Sequence, residues 1–245
     1  MENLAQTKVS KIVAQNYKTA RVFTRYGIDF CCNGGIPLEE ACENKQVDLR
    51  EIENDISEVL STPIENDYQK MDPTELVDHI VNTHHDYVSS TIPVLQAYLN
   101  KLCQVHGERH PELFKVNELF DEAAIALLSH MEKEEFVLFP FIKSLVEASE
   151  NQYPLSEPYF GHIENPIAMM EHEHATEGER FRNIAKLTNQ YEPPSDACQT
   201  YRVTYALLKE FEEDLHLHIH LENNILFPKS IELFKEYFEQ SGAVV

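Results

Sequence analysis

Glycine is scarce here, at 7 residues in 245, under half the usual frequency of about 7%. Combined with long periodic segments, that scarcity argues for a helical protein. No apolar run reaches the roughly 18 residues that a membrane-spanning helix needs. The opening "MENLAQTKVSKIVAQNY" lacks the apolar stretch of a signal peptide, so export is not expected. Positive charge is also short: 20 Lys and Arg stand against 42 Asp and Glu, a net charge of -22. Phosphate-backbone binding rests on Lys and Arg, so neither a nucleic-acid partner nor a membrane is expected. Five cysteines is an odd number, and only Cys31 and Cys32 are adjacent. Reduced thiols in a cytoplasmic compartment are the expectation.

What is present is apolar periodicity, proline and histidine. Over residues 1–60, Val9, Ile12, Val13, Tyr17, Ala20 and Phe23 recur at three- and four-residue steps, which predicts a small helical domain. The pattern breaks at "GIDFCCNGGIP" and resumes near Leu38–Cys42 and Ile52–Leu60. The polar stretch 61–71 reads as a linker. Residues 72–245 then suggest four long helices. Asp72 as N-cap, Pro73 at the first position and Glu75 reaching back predict the start of the first, which runs to about Cys103. The second extends from Pro111 to about Ala148, and the third from near Pro166 to Asn189. The fourth covers 196–239 with Ser195 as its cap. Short connections predict an all-α, up-down four-helix bundle.

Twelve histidines need an explanation. "HMEKEEFVLFP" from His130 and "HIHLENNILFP" from His218 share the pattern H-x-x-x-E-x-x-x-L-F-P. Residues four apart on a helix lie one above the other, so His130 and Glu134 point together, as do His218 and Glu222. Ala123, Leu127, Val137 and Phe141 share the face of the first pair, and Phe211, Leu215 and Ile225 that of the second, so both face the core. Upstream, His85 interrupts the stripe Val77, Val81, Val88, Ile92, Leu95, and His174 the stripe Ile167, Met170, Phe181, Ala185. His85 precedes His130 by 45 residues and His174 precedes His218 by 44. The chain therefore reads as two similar helical hairpins. Burying these groups uncompensated costs several kcal/mol. Imidazole and carboxylate suit iron, manganese and zinc, and six ligands suit two ions bridged by Glu134 and Glu222.

His84 competes with His85, since Ile80 and Tyr87 flank it at helical spacing, although His85 fits the longer stripe. His216 and His220 stand four apart but share a face with Glu212, Glu213, Asn223 and Asn224, which predicts a solvated surface. Cys31 and Cys32 precede Asn33-Gly34-Gly35 and are expected on an exposed, flexible loop. The pair suits transient iron capture, thiol redox chemistry or a cross-chain contact; two small residues in a packed turn is the plainer alternative. Cys42, Cys103 and Cys198 show no spacing signal and read as packing residues.

These segments resemble the hemerythrin-like di-iron bundles. "YGIDFCCNGG" ahead of such a bundle, with "MMEHEHATEGE" between the two H-x-x-x-E copies, resembles the repair-of-iron-centres family of iron–sulfur cluster repair proteins. The resemblance covers nearly the whole chain. It implies iron-binding histidines at His85, His130, His174 and His218, bridging carboxylates at Glu134 and Glu222, and two non-haem iron ions sharing an oxo or hydroxo bridge. It implies repair of iron–sulfur clusters damaged by nitric oxide or oxidative stress, with iron donation as one route and damaged iron–sulfur proteins as clients. It also implies that the adjacent cysteines, Cys31 and Cys32, matter as candidate thiols. Nitric oxide binding or reduction, or oxygen or nitric oxide sensing or storage, are the alternative activities, and a homodimer is left open. Oxygen-carrying hemerythrins use an aspartate one position further on in the second pair, which argues against simple oxygen transport.

Overall fold

The computed structural model describes residues 4–61 and 67–240. Part of the expected linker, residues 62–66, and the end of the expected bundle, residues 241–245, lie outside them. Among the described residues there is no strand, and an isolated antiparallel bridge joins Lys8 to Pro37. The chain divides into two compact units, one of Met1–Asp78, Phe141–Ile167 and His216–Val245, the other of His79–Pro140 and Ala168–Leu215.

In the first unit, α1 (Val9–Gln15), α2 (Ala20–Arg25), α3 (Leu38–Lys45) and α4 (Leu49–Leu60) form at the expected periodic segments. Val9, Ile12, Val13, Phe23, Leu38, Ile52 and Ile56 are fully buried. Asp48 caps α4, its Oδ1 accepting from the Arg50 and Glu51 backbone N–H groups at 2.8 and 3.4 Å. The start of α5 (Pro73–Ile80) is the expected capping box. Asp72 Oδ1 accepts from Thr74 N at 2.7 Å and Glu75 N at 3.0 Å, and Glu75 Oε2 accepts from Asp72 N at 3.0 Å. Each such cap is worth about 1 kcal/mol. Within this unit, α8 (Phe139–Asn151) and α11 (Phe227–Gln240) bring Phe141 and Phe234 together at 6.1 Å.

The second unit holds α6 (Asp86–His106), α7 (Glu112–Lys133) and most of α9 (Glu164–Leu187) and α10 (Gln199–Leu221). Phe211 centres its core, with ring centroids 5.5 Å from both Phe120 and Phe181. Burying such a side chain contributes about 1.5–3 kcal/mol.

Three π-helical turns interrupt these helices: Val81–His85, Glu134–Leu138 and Glu222–Leu226. In the last two, Phe139 N–H bonds the Glu134 carbonyl and Phe227 N–H bonds the Glu222 carbonyl, each five residues back. Pro140 and Pro228 follow directly. A proline has no N–H and crowds the carbonyl four residues back, and a π turn just before it relieves both demands. The inserted turn also shifts phase. Leu138, Phe139 and Ile142 are buried, whereas Val137 and Phe141, expected in the core, are half-buried. On the first stripe Val81 is likewise half-buried, and His84 and His85 both turn inward.

The fourth helix starts later than expected. Ser195 lies in a turn closed by Ala197 N–H on the Pro194 carbonyl at 3.0 Å, and Cys198 rather than Ser195 precedes α10, its carbonyl accepting from Arg202 N at 3.1 Å. Two prolines, at 193 and 194, stand just ahead of this turn. Ahead of them Asn189, Gln190 and Tyr191 all have positive φ, between 49° and 61°. Such residues cost about 1–3 kcal/mol each, and burial of Tyr191 offsets part of that. Its neighbour Glu212 has a carboxyl pushed up to about 7 by burial, with the Tyr191 hydrogen bond opposing. Folding therefore takes up a proton between the ordinary value of 4.5 and about 7, so this contribution is complete at low pH and is lost as pH rises through 7. After discounting for its partly wet position, Glu212→Gln should stabilise the protein at pH 8 by about 2 kcal/mol, or roughly 4–8 °C in melting temperature. The two proteins should converge at pH 5; a constant gap in paired thermal melts would refute the assignment.

Candidate metal centre

In the second unit four of the expected ligands converge, all nearly inaccessible to solvent. His130 and Glu134 lie one turn apart where α7 passes into its π turn, and Glu134 is fully buried. His130 Nε2 is 3.3 Å from Glu134 Oε2 and 2.9 Å from His174 Nε2, which α9 supplies. His85 Nε2 is 3.5 Å from the same carboxylate oxygen, and its ring stacks on Phe139 at 5.7 Å. One ligand atom each from His130, Glu134 and His174 lies within 4.8 Å of the others.

Carboxylates hold these imidazoles from behind. His130 Nδ1 is 2.8 Å from Glu173 Oε2, and His85 Nδ1 is 2.8 Å from Glu135 Oε1. Burial raises the Glu173 carboxyl, but hydrogen bonds from Lys133 and His130 outweigh it and hold the group below its ordinary value. An ionised carboxylate only accepts hydrogen bonds. It therefore keeps the proton of each ring on Nδ1 and turns the Nε2 lone pair inward, as at metal-ligating histidines. An ionised Glu134, the form that binds a metal, would repel a lone pair on His130 Nε2 at 3.3 Å. A cation among these atoms converts that repulsion into ligation, so the residues present fit a metal ion.

His84 is equally buried but points its Nδ1 at Asp214 Oδ1, 2.9 Å away. Periodicity could not separate it from His85, because the π turn brings both inward. Neither Glu135 nor Glu173 was singled out by the sequence; each lies beside an expected ligand, Glu134 or His174, and that adjacency was the available signal.

In the first unit His218 Nε2 and Glu222 Oε1 are 3.0 Å apart, and both residues are buried. Cys31 and Cys32 lie in the same unit, and two expectations fail around them. Cys31 is buried rather than exposed, and Cys32 is half-buried. The Asp29 carboxylate folds this turn on itself, accepting from the Cys31 and Cys32 backbone N–H groups at 3.1 and 3.0 Å and from Asn33 at 2.7 Å. His220 is fully buried and His216 half-buried, not solvated, because the turn covers them. Phe30 sits edge-on to both imidazoles, at 5.8 Å from His220 and 6.0 Å from His216, and Asn224 Nδ2 reaches the Cys31 carbonyl at 3.2 Å. Burial moves His220 down to about 4, so it is neutral at physiological pH. The thiols are 3.7 Å apart; a hydrogen bond with Cys32, together with burial, pushes Cys31 well above the usual thiol range. Cys42 is buried and Cys103 half-buried, but Cys198 is exposed, which corrects its reading as a packing residue.

Fold and site define the class. Residues 76–230 match the family described as "Hemerythrin HHE cation binding domain", and residues 5–60 match ScdA_N, described as "Domain of Unknown function (DUF542)". The protein is thus a hemerythrin-like helical domain preceded by a small helical one. It is 33% identical to "Iron-sulfur cluster repair protein ScdA" of Staphylococcus haemolyticus, over 90% of this chain and 96% of that protein. It is 34% identical to "Probable iron-sulfur cluster repair protein" of Haemophilus influenzae, over 93% and 97%. Against "Iron-sulfur cluster repair protein YtfE" of Escherichia coli the identity is 32%, over 87% and 91%. The chain belongs to this iron–sulfur cluster repair family. Among its described residues no helix is long and apolar enough to cross a membrane.

Proposed function

We propose that the protein is a non-haem di-iron protein of the cytoplasm that helps repair iron–sulfur clusters damaged by nitric oxide or oxidants. The observation that carries this reading is the buried convergence of His130 Nε2, His174 Nε2 and a Glu134 carboxylate oxygen. The sequence repeat supplies the rest of the ligand set: His85 with this group, and His218 with Glu222 as the second H-x-x-x-E copy. Bound there, two irons would supply a redox-active pair able to take up small ligands such as nitric oxide. The chain's own groups bind and orient. Glu135 and Glu173 hold the imidazole protons, burial keeps bulk water from Glu134, and the Glu134 and Glu222 carboxylates would supply the anionic ligands. Iron is the cargo offered to a damaged client.

The names of the relatives support repair as the role, and the ligand set supports iron. The test is a reconstitution assay with an iron–sulfur enzyme inactivated by nitric oxide. Iron-loaded protein should restore its activity, with iron from the loaded chain appearing in the client. Recovery equal to that with free ferrous iron alone would sink the repair reading. Catalytic release of nitrous oxide without client recovery would favour the nitric oxide-reducing alternative.

A further inference from the structure

We propose that Cys198 and His106 form a nucleophilic thiol–imidazole pair that accepts a mixed disulfide from low-molecular-weight disulfides. Cys198 Sγ lies 3.2 Å from His106 Nε2, within hydrogen-bond reach for sulfur. The two come from different helical segments of the second unit, His106 closing α6 and Cys198 directly preceding α10. Successive residues of a helix rise 1.5 Å, so His106 stands roughly 30 Å along its segment from His85. The pair is thus remote from the candidate metal ligands of this unit.

Three features distinguish it from a chance surface contact. Cys198 is exposed, so a disulfide can reach the sulfur, whereas Cys42 is buried and burial pushes the thiols of both Cys42 and Cys103 up. The His106 ring is held edge-on against the fully buried Tyr201, at 5.4 Å. His110, whose ring also meets Tyr201 edge-on at 5.7 Å, is engaged elsewhere, with Nε2 3.1 Å from Asp196 and Nδ1 3.2 Å from Glu112. His106 is therefore the imidazole placed for the thiol.

The chemistry balances without a further reagent. His106 Nε2 takes the thiol proton and the Cys198 sulfur attacks one sulfur of the incoming disulfide. A new S–S bond forms as the old one breaks, and the departing thiolate leaves as a thiol with the proton from His106. Cys198 is oxidised and the departing half is reduced.

The test treats the full-length, metal-containing protein with limiting glutathione disulfide at neutral pH and maps the adducts by peptide mass spectrometry, with N-acetylcysteine as reference thiol. Cys198 should react about tenfold faster than the reference. His106→Gln keeps a polar side chain but cannot take up a proton, and should slow Cys198 by about tenfold. Iodoacetamide alkylation of the wild type, compared with the same reference, gives a second rate that does not depend on the variant folding. A Cys198 no faster than N-acetylcysteine with both reagents overturns the proposal, as does a folded His106→Gln protein that reacts like wild type.

Discussion

Glu134→Ala is expected to leave the purified chain with less than about half the wild-type iron and without the near-ultraviolet absorption of an oxo-bridged ferric pair. The expectation rests on position. Glu134 is fully buried, and His85 and His130 both direct Nε2 at its Oε2, at 3.5 and 3.3 Å. Removing it deletes the anionic ligand on which two imidazoles converge, whereas loss of an outer partner costs metal affinity only about 10–100-fold. A paired comparison sharpens the test. His85→Ala should lose iron as Glu134→Ala does. His84→Ala should retain it, because His84 directs its Nδ1 to Asp214 at 2.9 Å. Metal analysis of the three variants decides the matter. Full iron in Glu134→Ala, or equal losses in His84→Ala and His85→Ala, would show that the ligand set is wrong.

Removing the metal should destabilise the whole chain. Without a cation, His130 Nε2 and Glu134 Oε2 are left 3.3 Å apart inside a dry site, where holding a charged form unpaired is costly. A ligand that binds only the native state stabilises it by about 2.7 kcal/mol at a hundredfold excess over Kd and about 4.1 at a thousandfold. At roughly 2–4 °C per kcal/mol for a chain of this size, the anaerobically chelated protein should melt about 5–15 °C below the iron-loaded one. Adding ferrous iron back should restore the midpoint. Coincident scanning-calorimetry midpoints would mean that the polar cluster is satisfied without a metal.

Both predictions rest on residues that could be found before any fold was known. His130 and Glu134 share a face because four residues nearly complete a helical turn, and the repeat at His218 and Glu222 marks that spacing as more than a surface ion pair. The capping box of Asp72 and Glu75 was legible for a similar reason, since its bonds close within four residues. The same local rule misjudged the residues just after His130 and Glu134. A stripe drawn at 3.6 residues per turn runs to Val137 and Phe141, but the π turn before Pro140 moves the buried face to Leu138 and Phe139. The prolines were visible; how the helix would accommodate them was not.

The covered turn at Cys31 and Cys32 shows the other limit. Asn33-Gly34-Gly35 has the composition of an open loop, and His216 and His220 have acidic and amide neighbours that suggest water. Each reading holds for a segment considered alone. Asp29 gathers the turn, Phe30 closes over His216 and His220, and Asn224 holds the Cys31 carbonyl across 193 residues of chain. None of those distant contacts leaves a periodic trace.

By itself, then, the sequence determined the all-helical class, the excess of acid over base and most of the helix starts, and it nominated four histidines and two glutamates as candidate ligands. These come from composition and from interactions within a turn or two of helix. The tertiary structure alone decided which carboxylates stand behind His85 and His130, that the thiol turn is covered, and that Cys198 meets His106. Those outcomes depend on side chains brought together from distant parts of the chain, where burial and hydrogen bonding, rather than spacing, select the partner.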